Sequence, residues 1–162
     1  MEQRIVTNLW FDTQAEEAAQ FYCSIFPNSK VVHIAQYTEA GPGEPGSVMV
    51  VEWELDGTRL VGINGGPQFT FSEAVSLQVR CDTQEEIDHY WAALTAGGEE
   101  GPCGWLKDRY GVSWQVTPTG IDKFFAGADQ EGGRRAMEAM FGMKKIDIAV
   151  LRAAAEGTTA AA

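Results

Sequence analysis

Positive charge is scarce in this chain. Its 162 residues hold 12 Lys and Arg against 23 Asp and Glu, a net charge of −11 with histidine neutral. Binding a phosphate backbone takes clustered basic residues, and here they are few and scattered, which excludes nucleic acid as a partner. The same shortage disfavours anionic membrane surfaces. Long apolar runs are missing too, with none near the roughly 20 residues of a membrane-spanning helix, so no membrane role is expected. The opening MEQRIVTNLWFD has no apolar core of a secretory leader. Cysteines are three, Cys23, Cys81 and Cys103, an odd count without CxxC spacing. That usage fits reduced thiols and a cytoplasmic location. Histidine is rarer still: only His33 and His89.

Apolar residues, by contrast, are plentiful at 44% of the chain. A chain of roughly 150 residues buries about 68–70% of its unfolded surface, so one independently folding domain over 1–162 is expected. A repeat organises it. Asp12-Thr13-Gln14 recurs 70 positions later as Asp82-Thr83-Gln84, and at the same offset Glu16 matches Glu86 and Phe21 matches Trp91. Each copy follows a short apolar run, Ile5 to Phe11 and Val75 to Cys81. Each precedes an amphipathic stretch: Ala15, Ala18, Ala19, Tyr22 and Phe26 fall at helical spacing, as do Ile87, Trp91 and Leu94. In both, Asp-Thr offers a side-chain oxygen to cap the helix.

Strand-like segments follow at Lys30–Thr38, Ser47–Leu55 and Thr58–Ile63, with a Gly- and Pro-rich loop at 41–46 and a tight Asp56-Gly57 turn. In the second half Gly97-Gly98 closes the helix, and shorter strands are expected at Glu99–Cys103, Trp105–Lys107 and Val112–Thr117, with a turn at 108–111. Each half therefore reads βαβββ, an α+β fold with a first unit at 4–64, a linker at 65–73 and a second unit at 74–118. Residues 119–162 turn helical, over Asp122–Phe125, Glu131–Phe141 and Lys145–Ala155, and end in a frayed Gly-Thr-Thr-Ala-Ala-Ala tail.

Tandem βαβββ units resemble the vicinal-oxygen-chelate superfamily of glyoxalases, extradiol dioxygenases and bleomycin-resistance proteins. Several strings narrow the resemblance: Leu9-Trp10-Phe11-Asp12 with Phe21-Tyr22, and Asn64-Gly65-Gly66-Pro67 followed by Phe69 and Phe71. Cys103-Gly104-Trp105-Leu106-Lys107-Asp108, Gly111-Val112-Ser113-Trp114-Gln115 and Met143-Lys144-Lys145-Ile146-Asp147-Ile148 add to them. Together, over about residues 4 to 155, these are similar to the PhnB-like branch, which carries the label 3-demethylubiquinone-9 3-methyltransferase. The resemblance implies two sheets facing one cavity and a homodimer, for which Met137, Met140, Phe141 and Met143 offer an apolar surface. The label itself is not expected to describe the chemistry. Gly62-Ile63-Asn64-Gly65-Gly66 leads into Pro67 and aromatics rather than a helix N-terminus, so it reads as a turn needing positive φ, not a cofactor loop.

Enzymes of the superfamily hold a divalent metal with His and Glu on the first and last strands of each unit. Matching positions here are Val6 and Val61 in the first unit and Ser76 and Gln115 in the second. Shifting the count brings in Asn8, Ile63 or Gln78, still without an ionised ligand, so neither a metal nor another cofactor is expected. Strand alternation then places Val112, Trp114 and Val116 under a helix and turns Ser113, Gln115 and Thr117 the other way. The candidate ligand cavity comprises Asn8, Trp10, Ser76, Gln78, Arg80, Ser113 and Gln115, the alternative being an ordinary solvated sheet face. Glu52, beside Glu54 on one strand face, is a candidate base if like charge raises its pKa. Cys103, with Lys107 and Arg109 near in sequence, is a candidate nucleophile. The favoured reading is a metal-free protein that binds a small organic ligand. The alternative is a lyase, isomerase or dioxygenase of the superfamily's type, and the sequence leaves open whether any reaction is catalysed.

Overall fold

The structure, a computed structural model, describes residues 3–126 and 130–159. The chain folds as two compact units, one ending at Phe71 and the other beginning at Ser72. In the first, β1 (Thr7–Phe11), β2 (Lys30–Gln36), β3 (Val48–Leu55) and β4 (Thr58–Asn64) form a sheet in the order β1-β4-β3-β2. Parallel pairing of β1 with β4 requires a long crossover, which α1 (Ala15–Ile25) and the β2–β3 hairpin supply. Alternation puts Leu9, Phe11, Val51, Trp53, Leu55 and Leu60 in the core with Ala15, Ala18, Ala19 and Tyr22 of the helix. The small residues let helix and sheet approach closely. At Gly62 a Cβ would stand 3.0 Å from both Ala15 and Trp53, which explains a glycine inside a strand.

In the second unit, β5 (Leu77–Cys81), β6 (Glu99–Glu100), β7 (Trp105–Lys107) and β8 (Ser113–Pro118) form a sheet in the order β5-β8-β7-β6. One face is covered by α2 (Gln84–Thr95), whose Ile87, Trp91 and Leu94 are buried. Three further helices follow: α3 (Asp122–Ala126), α4 (Gln130–Phe141) and α5 (Ile148–Glu156). The segment between α4 and α5 is stitched to this unit. Met143 and Lys144 carbonyls accept from the Cys103 and Gly104 amides at 2.8 and 2.7 Å. Gln84 donates to the Ile146 carbonyl at 3.1 Å and accepts from the Ile148 amide at 2.9 Å, while Ile146 itself is buried. Met137 and Phe141 remain exposed, whereas Met140 and Met143 are half-buried.

Several boundaries differ from those expected, each for a local reason. Ile5 and Val75 are apolar but 88% and 69% exposed, and the strands begin two residues later, where pairing partners start. Of the expected linker, residues 65–71 fold into the first unit, Phe69 meeting Trp10 and Phe71 meeting Phe11 edge-on. Pairing after Glu99 and Glu100 stops early, because Pro102 donates no hydrogen bond and Cys103 turns to φ 57°. Asp147 caps α5 by accepting from the Val150 amide at 3.0 Å, so the helix starts at Ile148 rather than Lys145. Gly157 closes α5 in the left-handed conformation, and the last three residues of the expected tail lie outside the described residues. The repeated capping sequence works only once. Thr83 accepts from the Glu86 amide, and the Glu86 carboxylate reaches back to accept from the Asp82 amide, one residue before the cap of α2. No side chain of Asp12-Thr13-Gln14 caps α1; Asn64, at the end of β4, accepts from the Ala15 amide at 2.8 Å instead. Among the described residues no helix is long and apolar enough to cross a membrane.

Candidate functional site

Register fixes which side chains share the face of the second sheet turned away from α2. Gln78 lies opposite Gln115 and Arg80 opposite Thr117 in the parallel β5–β8 pair; Trp105 lies opposite Gln115 and Lys107 opposite Ser113 in the antiparallel β7–β8 pair. Directly opposed residues project to one side. The face therefore carries Gln78, Arg80, Ser113, Gln115 and Thr117 together with Trp105 and Lys107. Gln115 donates to the hydroxyl of Ser76 at 2.9 Å, and Gln78 donates to that of Thr117 at 3.1 Å. Arg80 is exposed. Ser113 is only 1% exposed, and its hydroxyl has no hydrogen-bond partner among the described residues. Polarity thus separates the two faces of β8, but two residues of the polar face, Ser113 and Thr117, are buried rather than open.

Trp105 and Lys107 were not among the expected cavity residues, although period-two alternation along β7 separates them from the buried Leu106. Beside them opens a cavity of about 340 Å³, with Glu73, Glu99 and Pro102 also in its wall. Lys107 Nζ meets Glu73 Oε1 at 2.7 Å. That hydrogen bond holds the Glu73 carboxyl below the usual carboxylate range and raises the Lys107 ammonium above its own.

The remaining expected cavity residues lie in the first unit. Asn8 and Trp10 share the face of their sheet turned away from α1 with Val61, Ile63 and Glu52. Asn8 is exposed and donates to the Val6 carbonyl at 3.1 Å. Trp10 serves the turn after β4: its indole N–H donates to the Gly66 carbonyl at 2.9 Å, and its ring lies so near Gly65 that a Cβ there would come within 2.1 Å. Gly66 has φ +95°, the left-handed turn expected of this glycine stretch. Asn64 of the same stretch is buried, donating to the Val48 carbonyl at 3.0 Å while its own carbonyl accepts from the Tyr37 hydroxyl at 2.6 Å.

Glu52 and Glu54 do not form an isolated acid pair. Arg59 stands 3.6 Å from one and 3.7 Å from the other, and Lys30 is 3.1 Å from Glu54. The cations near Cys103 in sequence are engaged elsewhere, Lys107 on Glu73 and Arg109 on the Ala96 carbonyl. Cys103 itself is held by the α4–α5 segment, its thiol donating to the Met140 carbonyl at 3.5 Å. Burial raises the Cys23 thiol and pushes Cys81 up to about 12.

At the positions where the superfamily holds its metal, the residues do not fit one. Val6 and Val61 have alkyl side chains, and Ser76 and Gln115 are neutral and hydrogen-bonded to each other. Nowhere among the described residues do three His, Cys, Asp or Glu side chains come together as a ligand set. His33 stands opposite Glu52 in the β2–β3 pair, and His89 is exposed on α2.

Comparison with known proteins supplies the family. The family described as 3-demethylubiquinone-9 3-methyltransferase matches residues 3–117. A PhnB protein from Bacillus cereus, whose methyltransferase designation is provisional, is 41% identical with a TM-score of 0.64, covering 72% of this chain and 99% of its own. PA1353 from Pseudomonas aeruginosa has a TM-score of 0.60 at 19% identity, over 72% of this chain and 98% of its own. The fosfomycin resistance protein FosX from Mesorhizobium loti has a TM-score of 0.51 at 11% identity, over 72% and 90%. These last two share the fold alone. No curated protein matches. The family match ends at residue 117, short of the Met143–Ile148 string and the helices α3 to α5, so the resemblance is narrower than the 4–155 expected. Within that span both βαβββ units are present, and the chain belongs to the PhnB-like family, described as 3-demethylubiquinone-9 3-methyltransferase, of the glyoxalase and vicinal-oxygen-chelate superfamily.

Proposed function

We propose that the protein binds a small organic anion on the face of its second sheet turned away from α2, without a divalent metal. One observation carries this reading: Ser76, Gln78, Gln115 and Thr117 form a row of neutral donors and acceptors that ends at the exposed guanidinium of Arg80. Amide and hydroxyl pairs exchange partners at little cost, since a ligand oxygen replaces the bond that it breaks. Arg80 supplies the charge and the planar fork that recognises a carboxylate. A divalent ion is held best by imidazole and carboxylate, whereas Ser76 and Gln115 offer a hydroxyl and an amide already bonded to each other. Methyl transfer is not part of the proposal, because the glycine stretch after β4 is closed by Trp10.

Thermal shift against a panel of small metabolites, with and without EDTA, tests this. A ligand at 100 times its Kd stabilises by about 2.7 kcal/mol, which for a chain of this size raises Tm by roughly 5–10 °C. Carboxylates are expected to give the rise, EDTA to leave Tm unchanged, and Arg80→Gln to remove the response. Stoichiometric metal in protein purified without chelator, or a rise indifferent to Arg80→Gln, would overturn the reading.

A further inference from the structure

The Glu73–Lys107 ion pair ties the segment ahead of β5 to a strand two places away in the sheet. The Gln115–Ser76 hydrogen bond fastens the same segment to β8, the strand between. Register carries Ser76 to the level of Ser113, one step before the Leu77–Trp114 pair. The Glu73 carboxylate is thereby delivered to Lys107, whose directly opposed neighbour is Ser113 with its buried, unpartnered hydroxyl. An ammonium that already meets a carboxylate at the wall of a cavity is the donor of a carboxylate subsite. Here a carboxylate from the chain itself already sits on the cation.

We infer that Glu73 is an internal stand-in for ligand, and that the ligand is a small dicarboxylate. One carboxylate of the ligand rests on Arg80; the second displaces Glu73 from Lys107. The inference depends on the preceding section for the ligand's place and adds its class and its competitor. Three observations favour it. Both cations of this face, Arg80 on β5 and Lys107 on β7, flank the neutral row on β8 from opposite sides. The cavity of about 340 Å³ beside Trp105 gives the second carboxylate and its methylenes a place next to Lys107. Glu73 is exposed and its ion pair solvent-screened, so displacement is cheap, whereas a buried partner would not yield. Glu99, opposite Lys107 across β6–β7, opposes a second anion and sets a preference for ligands that reach Lys107 directly.

Calorimetric titration of the full chain with glutarate, adipate and pimelate, each against the monocarboxylate of equal length, tests the inference. Dicarboxylates are expected to bind more tightly than their monocarboxylates. Glu73→Gln removes the competitor and should tighten dicarboxylate binding about two- to five-fold, the range of an exposed ion pair, while leaving monocarboxylates unchanged. Lys107→Met should weaken dicarboxylates about ten-fold, to the monocarboxylate level. Added salt should shrink both effects. Equal binding of both series, dependent on Arg80 but indifferent to Glu73→Gln and Lys107→Met, overturns the inference and leaves the anion-binding reading standing. Absence of binding by all six probes to wild type and Glu73→Gln also overturns it, and the metabolite panel then judges the broader reading separately. Both substitutions are at solvent-accessible positions, and an unchanged Tm without ligand checks that the fold is intact.

Discussion

Replacing Asp108 by Asn removes one charge and exchanges one acceptor for a donor, and the structure says what that should cost. Asp108 is 3% exposed and closes the β7–β8 turn. One carboxylate oxygen accepts from the Tyr110 and Val112 amides at 2.9 and 3.1 Å; the other accepts from the indole N–H of Trp114 at 2.8 Å. An Asn can keep the first oxygen in place and satisfy both amides. Its NH2 group then faces the indole N–H, so one charge-assisted bond becomes a donor–donor contact. Hydrogen bonds to charged groups contribute about 1.5–3 kcal/mol, and an unsatisfied buried donor costs about 1–3 kcal/mol. The expected loss for Asp108→Asn is about 2–4 kcal/mol. Urea unfolding followed by circular dichroism reads it as a midpoint lowered by roughly 1–2 M at a slope near 2 kcal/mol/M. Trp114→Phe in the same background removes the opposing N–H, so the cycle should show coupling of about 1 kcal/mol or more. Because this turn aligns Lys107 with Ser113, ligand affinity should fall along with stability. A loss below about 0.5 kcal/mol, the range of an ordinary surface substitution, would refute the account of Asp108 as the organiser of the hairpin.

Gln84→Ala cuts the two bonds that Gln84 makes to the α4–α5 segment and its first helical residue, leaving the Lys145–Asp88 ion pair in place. It should cost about 1–2 kcal/mol and speed proteolytic cleavage between residues 142 and 147, and unchanged protection would refute the docking role. Cys81 gives a pH prediction whose sign is fixed by the raised thiol pKa. The folded state holds that proton more tightly than the unfolded one, so its contribution is complete below the ordinary thiol range of about 8.5 and is lost as pH climbs toward about 12. Alkaline unfolding should therefore be less steep in Cys81→Ala, and a thiol reagent at pH 8 should leave Cys81 unmodified until the protein unfolds; rapid modification of folded protein would contradict it.

Local patterns made the two units legible. Period-two alternation found β3, β4 and β7 almost to the residue, and helical spacing found α1 and α2, because those signals come from neighbours in sequence. Cross-strand register was not legible, and the site depends on it. Trp105 and Lys107 join Ser113 and Gln115 only through the β7–β8 pair, and Glu73 arrives only through its ion pair. Apolar identity alone misled at Ile5 and Val75, which have no strand opposite them. Proximity in sequence misled at Cys103, whose neighbouring cations turn to Glu73 and the Ala96 carbonyl.

The same division between local and distant partners bears on the family's label. In the second unit the helix cap is local, Thr83 to Glu86, and the sequence announces it. In the first unit no side chain of the matching tripeptide caps α1, and Asn64 caps from 49 positions away. Asn64 thereby commits its side-chain oxygen to Ala15, its side-chain amide to Val48 and its main-chain carbonyl to Tyr37. The next two glycines are equally committed, Gly65 beneath the Trp10 ring and Gly66 to the indole N–H. A glycine loop that cradles a cofactor must leave main-chain N–H groups free to face it. Here the Gly65 and Gly66 amides donate to the carbonyls of Phe11 and Asp12, at 3.0 and 3.3 Å. The one stretch that invites a methyl-donor reading is thus a clasp joining the ends of β1, β4 and α1, and the polar face on which a ligand is proposed lies instead on the second sheet.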